Sequence, residues 1–143
     1  MSDKSHSFLL DTNAVSEWVK PRPNPGLVAW MESADEDRLF ISIVSLAELH
    51  YGVERLPPGR RRSRLEQWLN QELPLRFEDR ILAVDPTVAE VWGKAVSRAE
   101  AAGRPIGAMD AFLAATAETH HLTLVTRNVS DFALLKTILN PWT

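Results

Sequence analysis

Apolar positions along the chain alternate between short unbroken runs and stripes at helical spacing. The runs are Phe8-Leu9-Leu10, Leu39-Phe40-Ile41-Ser42-Ile43, Arg80-Ile81-Leu82-Ala83-Val84 and Leu122-Thr123-Leu124-Val125-Thr126, with a last short one at Thr137-Ile138-Leu139. Runs this short, rich in branched and aromatic side chains, predict buried strands. Between them lie segments that read as helices. Residues 13–19 form a short one, stopped by Lys20-Pro21-Arg22-Pro23, because each proline restricts the residue before it. Asn24-Pro25 reads as an N-cap with proline at the first helical position, ahead of Leu27, Val28, Trp30 and Met31, and Asp35-Glu36-Asp37 closes that helix.

A helix is expected over about 44–55, with Val44, Ala47 and Tyr51 on one apolar arc and Leu46, Leu49 and Val53 on another. Glu48 falls in the gap between them and Gly52 leaves space one turn along, so the carboxylate should be half enclosed. After Leu56-Pro57-Pro58-Gly59 comes a second helix with Leu65, Trp68, Leu69 and Leu73 on one stripe, giving a helical hairpin over about 44–73. Asp85-Pro86 caps an amphipathic helix bearing Val88, Trp92, Ala95, Val96 and Ala99, and Asp85 is read as a cap only. The segment 111–117 is small or apolar almost all round, which predicts a central helix. Strands that alternate with helices, without a repeat, predict one α/β domain over 1–143 whose mostly parallel sheet is covered on both faces, with 1–6 as a flexible tail.

Four acids stand out against this frame. Asp11 follows the first strand, Glu48 lies in the gap just described, Asp110 opens the apolar helix, and Asp131 follows the fourth strand. In an open α/β sheet, chemistry collects beyond the carboxyl ends of the strands. Each acid also has a plain structural reading as a helix cap or a surface residue. If they converge, two carboxylates about 4 Å apart at an effective dielectric near 20 repel by about 4 kcal/mol, so a positive charge must sit between them. The chain has no cysteine, and its four histidines lack ligand spacing. The expected occupant is therefore a hard ion, Mg²⁺ or Mn²⁺. Such an ion with bound waters suits phosphodiester hydrolysis, with Thr12, Asn13, Ser16, Thr126 and Asn128 orienting ligands or water.

A formal net charge of -3 argues against holding nucleic acid by bulk electrostatics. The basic cluster Arg60, Arg61, Arg62 and Arg64 is either a solvated first helical turn or a set of RNA contacts. The lack of cysteine suits a reducing compartment. The polar start lacks a signal-peptide pattern, and no apolar run is long enough to cross a membrane. A cytoplasmic protein without a membrane partner is the expectation.

In order and spacing, Leu10-Asp11-Thr12-Asn13 with Ser16-Glu17, Ser45-Leu46-Ala47-Glu48-Leu49 with Gly52, Pro105-Ile106 with Asp110 and Ala114-Ala115-Thr116-Ala117, Val125-Thr126-Arg127-Asn128 and the closing Asn140-Pro141-Trp142 resemble the PIN-domain nucleases. Among these they are most similar to the VapC-type toxins of toxin–antitoxin pairs, in the FitB-like branch. The resemblance implies a PIN-like three-layer α/β/α sandwich and a Mg²⁺- or Mn²⁺-dependent endoribonuclease. It also implies a cognate VapB-like antitoxin over the acidic pocket, and a homodimer or larger assembly. Asp11, Glu48 and Asp110 match the family's metal-site acids. For the fourth, where the family uses the position of either Asn128 or Asp131, Asp131 is taken because a carboxylate binds a cation better than an amide. The family's glycine-containing turn before the last strand is replaced here by Ala133-Leu134-Leu135-Lys136.

Two other classes stay open. A phosphatase of the haloacid-dehalogenase type also starts with an Asp after its first strand, although Asn13 stands where that pattern has a second Asp. A non-catalytic binding module would keep the fold and grip a partner through the helical hairpin.

Overall fold

A computed structural model describes residues 6–132, 135 and 137–143. Residues 1–5 of the expected tail lie outside the described residues, as do 133, 134 and 136 of the segment that replaces the glycine turn. Strands β1 (Phe8–Leu10), β2 (Leu39–Ser42), β3 (Ile81–Leu82), β4 (Thr123–Val125) and β5 (Ile138–Leu139) form one sheet in the order β3-β2-β1-β4-β5. Every pairing is parallel. Strand order therefore runs one way from β1 through β2 to β3, then restarts on the other side of β1 with β4 and β5. That reversal places a topological switch point between β1 and β4, where an open α/β sheet leaves a crevice at its carboxyl edge.

The helices are α1 (Thr12–Trp18), α2 (Pro25–Ser33), α3 (Ile43–Glu54), α4 (Arg60–Gln67), α5 (Leu73–Phe77), α6 (Pro86–Ala101) and α7 (Ala108–Thr119). Period-two alternation divides the strands between two cores. Leu10, Leu39, Ile41 and Val125 pack with residues of α1 to α3 and with Leu69, Leu73 and Phe77. Leu9, Leu124, Phe40 and Ile138 face the opposite way onto Leu113 and Ala117 of α7 and onto Phe132. α6 packs along α7. This is the expected three-layer α/β/α sandwich.

Local chemistry sets the helix starts as the sequence predicts. Asn24 Oδ1 accepts from the amides of Gly26 and Leu27 at 3.0 and 3.2 Å, and Asp85 Oδ1 from Val88 at 2.9 Å. The second arm of the hairpin is less regular than its stripe implies. A π turn over Trp68–Glu72 joins α4 to α5, just before Pro74. Proline has no N–H to give to the carbonyl four residues back and its ring crowds that carbonyl, so the wider turn absorbs the break.

One arc of α3 also differs from expectation. Val44 is buried, but Ala47 is exposed and Tyr51 is 64% exposed, with the Arg55 guanidinium over its ring at 5.4 Å. The apolar stripe is consumed by the other arc, where Leu49 and Val53 meet the core. An amphipathic pattern cannot say which of two arcs the sheet will cover.

Candidate metal centre

Four backbone features bring the acids to the carboxyl edge of the sheet. Asp11 is the first residue beyond β1, tied to the neighbouring strand by its N–H to the Val125 carbonyl at 3.1 Å. It is buried and caps α1, its Oδ1 accepting from the Ala14 amide at 2.7 Å. Glu48 sits on α3, which starts where Ser42, the last residue of β2, accepts the Val44 amide at 3.0 Å. The side chain is half-buried and nothing stands where a Gly52 Cβ would be, as the sequence suggests.

Asp110 lies in the first turn of α7. Trp92 fixes that turn, its indole N–H donating to the Ala108 carbonyl at 3.1 Å while its ring stacks on Phe112 at 5.1 Å. Asp131 is exposed on the 3-10 turn Val129–Phe132, held from below by buried Phe132.

These carboxylates share one electrostatic field. Burial pushes the Asp11 carboxyl above its ordinary value; hydrogen bonds from Thr126 and Ala14 oppose the shift, and the charges of Asp110 and Glu48 add to it. Asp110 is raised too, first by burial and then by the charges of Asp131 and Glu48. Burial and like charge both disfavour the ionised forms, which is the situation a divalent cation relieves.

As the side chains stand, no three carboxyl or imidazole groups among the described residues are placed to hold an ion. The donor set nonetheless fits a hard cation. It is all oxygen, with Asp11 buried and fixed and with half-buried Glu48 and exposed Asp131 at its outer side.

Two threonines support this centre directly. Thr12 Oγ1 lies 2.5 Å from Glu48 Oε1 and 3.0 Å from Ser45 Oγ. With one proton to give, it donates to the carboxylate, the stronger acceptor. Thr126 is fully buried, accepts the Asn128 amide at 3.0 Å and hydrogen-bonds Asp11. The other three residues expected in this supporting role do not reach the acids with their side chains. Ser16 Oγ donates to the Asn13 carbonyl at 3.2 Å, Asn13 is exposed, and Asn128 contributes only its backbone N–H.

Sequence reasoning left Ser45 without a role. It is fully buried one helical turn before Glu48, and a serine three residues ahead of a candidate carboxylate on one helix face is the signal that marks it.

The arginine cluster lies in the first turns of α4. Arg62 is consumed within the hairpin, by Glu54 and Glu66 at 3.0 Å each and by the Leu56 carbonyl at 3.2 Å, while Arg60, Arg61 and Arg64 are exposed on α4. Two other arginines, ones the sequence did not single out, share a cavity with two of the acids. Arg98 and Arg104 line a cavity of about 240 Å³ that has Asp110 and Asp131 on its wall beside apolar Ile106 and Phe132. The four histidines stand away from this cluster as exposed residues. No helix among the described residues is long and apolar enough to cross a membrane.

Known proteins resemble the chain over nearly its whole length. The family pattern of the PIN domain matches residues 8–135. The chain is 39% identical to "Toxin FitB" of Neisseria gonorrhoeae, covering 94% of this chain and 98% of that protein. It is 33% identical to "VapC ribonuclease Y4jK" of Sinorhizobium fredii, over 94% and 97% of the two chains. A solved structure of FitAB bound to the IR36 DNA fragment superposes with a TM-score of 0.89 at 36% identity, covering 95% and 96% of the two chains.

Proposed function

The chain belongs to the PIN-domain family, and from that premise we propose that it is the toxin of a toxin–antitoxin pair, an endoribonuclease that depends on Mg²⁺ or Mn²⁺. Family membership removes the haloacid-dehalogenase alternative. The observation that carries the reading is the mutual charge pressure among Asp11, Glu48, Asp110 and Asp131 at the switch point of the sheet. Names given to relatives, a toxin and a VapC ribonuclease, support the same activity.

In this reading the four carboxylates would hold the ion. A bound Mg²⁺ or Mn²⁺ supplies an acidified water and neutralises charge on the phosphoryl oxygens. The chain's own residues do the rest. Ala14 N–H and the Thr126 hydroxyl fix the orientation of Asp11, and Thr12 fixes Glu48. Burial by the flanking cores limits water around Asp11 and so strengthens its interactions with charge. The partners would be RNA and a cognate VapB-like antitoxin that blocks the acids. The active species would be a cytoplasmic homodimer, alone or within a larger toxin–antitoxin assembly.

The test is cleavage of structured RNAs by the purified, antitoxin-free chain with Mg²⁺. Wild type is expected to cut, EDTA to stop it, and Asp11→Asn to lower the rate by about 10³-fold or more, since it removes a charged ligand that no neighbour replaces. Equal cutting by wild type and Asp11→Asn, or no cutting by either, would sink the proposal. Calorimetry separates it from a non-catalytic binding module, for which Mn²⁺ would release no heat of binding.

A further inference from the structure

A second cleft lies along another face of α1. Asn13, Ser16 and Glu17, at i, i+3 and i+4 of the helix, form one wall together with Lys20, two residues past the helix end. Arg127, Asn128 and Trp142 close the other side. The cavity measures about 220 Å³, below the roughly 300–1,000 Å³ of drug-sized ligand sites, so it has room for a single small planar group.

Its charge is opposite to that of the acid centre. Lys20 Nζ lies 2.8 Å from Glu17 Oε1, and the Arg127 guanidinium acts on the same carboxylate. Two cations share one anion, leaving the cleft net positive within a chain of net charge -3.

The aromatic wall is held from behind. Trp142 is half-buried and packs on the core, and its backbone N–H donates to Asn140 Oδ1 at 3.0 Å. Asn24 grips the next residue twice, its Oδ1 accepting the Thr143 N–H and its Nδ2 donating to the Thr143 carbonyl, both at 3.1 Å. Glu17 Oε2 in turn accepts the Asn24 amide at 2.8 Å. A single network thus runs from the cationic pair to the tail that presents the indole.

The cleft shares two segments with the residues that hold the acids. Asn13 follows Thr12, which holds Glu48, and the Asn128 amide donates to Thr126, which holds Asp11. Along these segments a polynucleotide with a phosphodiester at the acids would extend toward the cleft. We propose that this cleft is a nucleotide subsite for single-stranded RNA, with an unpaired base stacked on Trp142, its phosphate between Lys20 and Arg127, and its edge toward the Asn13 and Asn128 amides. The inference rests on the ribonuclease reading above and gives that reading its substrate form, an unpaired segment rather than a duplex.

Fluorescence anisotropy with a labelled single-stranded oligoribonucleotide tests it, using the full chain and Ca²⁺ in place of Mg²⁺. Trp142→Ala should weaken binding by about tenfold or more, and Trp142→Phe, which keeps a stacking ring, by no more than about threefold. Because Trp142 also packs on the core, the paired change Lys20→Ala with Arg127→Ala, at two exposed positions, carries the test independently. It should reduce the slope of log Kd against log salt by about 1 to 2, a readout that a purely structural role would not move.

An unchanged slope together with wild-type affinity in Trp142→Ala overturns the subsite, as does a wild-type chain that binds no single-stranded RNA. If these variants weaken binding but no RNA is ever cut with Mg²⁺, the ribonuclease reading falls and the subsite stands. If cutting depends on Asp11 but the paired variant keeps the wild-type KM and salt slope, the subsite falls and the ribonuclease reading stands.

Discussion

The two sides of α1 hold opposite charges within a few residues of each other. On one side Asp11, Glu48 and Asp110 crowd together, buried or half-buried, with Asp131 at their edge. On the other, Lys20 and Arg127 surround the single carboxylate of Glu17. Asp11 and Asp110 are raised, first by burial and then by neighbouring negative charge, while Glu17 is lowered, first by its hydrogen bond to Lys20. A helix makes this separation cheaply. Consecutive residues point about 100° apart, so Thr12 turns to Glu48 while Asn13 turns to the cleft. Charge separation across one helix is a way for an acidic chain to meet a polyanion, since cation-mediated chemistry and direct phosphate contact need opposite local fields.

Substitutions among the acids should have the most severe consequences. Asp110→Asn should lower Mg²⁺-dependent RNA cleavage by about 10²-fold or more, and Asp131→Asn by about tenfold, because Asp110 is part-buried in the first turn of α7 while Asp131 is exposed. Single-turnover cleavage rates of the two variants check the order. Equal losses would make Asp131 a full member of the centre, and no loss in Asp131→Asn would return the fourth position to Asn128.

A smaller effect isolates the cationic side. A Cβ at Gly26 would press into the Pro141 carbonyl and Thr143 Cγ2, so Gly26→Ala should displace the tail that carries Trp142. Overpacking of this kind costs about 1–3 kcal/mol, which for a domain of this size corresponds to about 2–4 °C in Tm for each kcal/mol. Thermal unfolding should show that drop, RNA affinity should fall with it, and Mn²⁺ binding by calorimetry should stay unchanged. Loss of Mn²⁺ binding would mean that the two sides of α1 are not independent.

The smallest effect is on stability without metal. Asp11 and Asp110 are raised from 3.8, so above that pH the folded chain binds more protons than the unfolded one. Their contribution to stability is fully present below 3.8 and is lost as pH rises through the raised folded values. Asp11→Asn removes one of the opposed charges while keeping an acceptor for the Ala14 amide. In EDTA its Tm should exceed that of wild type by a few degrees at pH 7, with the difference shrinking as pH falls toward 4. A difference independent of pH would show that charge crowding is not its cause.

Much of this was legible before folding. The strand runs and helix caps gave the α/β alternation, because period-two and period-3.6 burial and the cap at Asn24 or Asp85 are local properties. Asp11, Glu48 and Asp110 were legible as acids at strand ends and helix starts, positions that parallel topology carries to one sheet edge. Other features had no local trace. Nothing near Tyr51 in the chain says that its arc of α3 is left uncovered. Lys20 read as part of a proline loop, and Trp142 as part of a closing motif. They meet only because the network from Glu17 through Asn24 to Thr143 spans 119 residues from Asn24 to the tail.

Local sequence thus sets which residues carry charge, which segments become strands or helices, and which acids stand near their ends. Tertiary structure alone decided that Thr12 and Thr126 support those acids while Asn13, Ser16 and Asn128 turn to a cleft, and that Arg62 is consumed by Glu54 and Glu66. The physical reason is range. Capping and periodicity act over a few residues, whereas a side chain's partner depends on the faces that distant segments present once the sheet has ordered them.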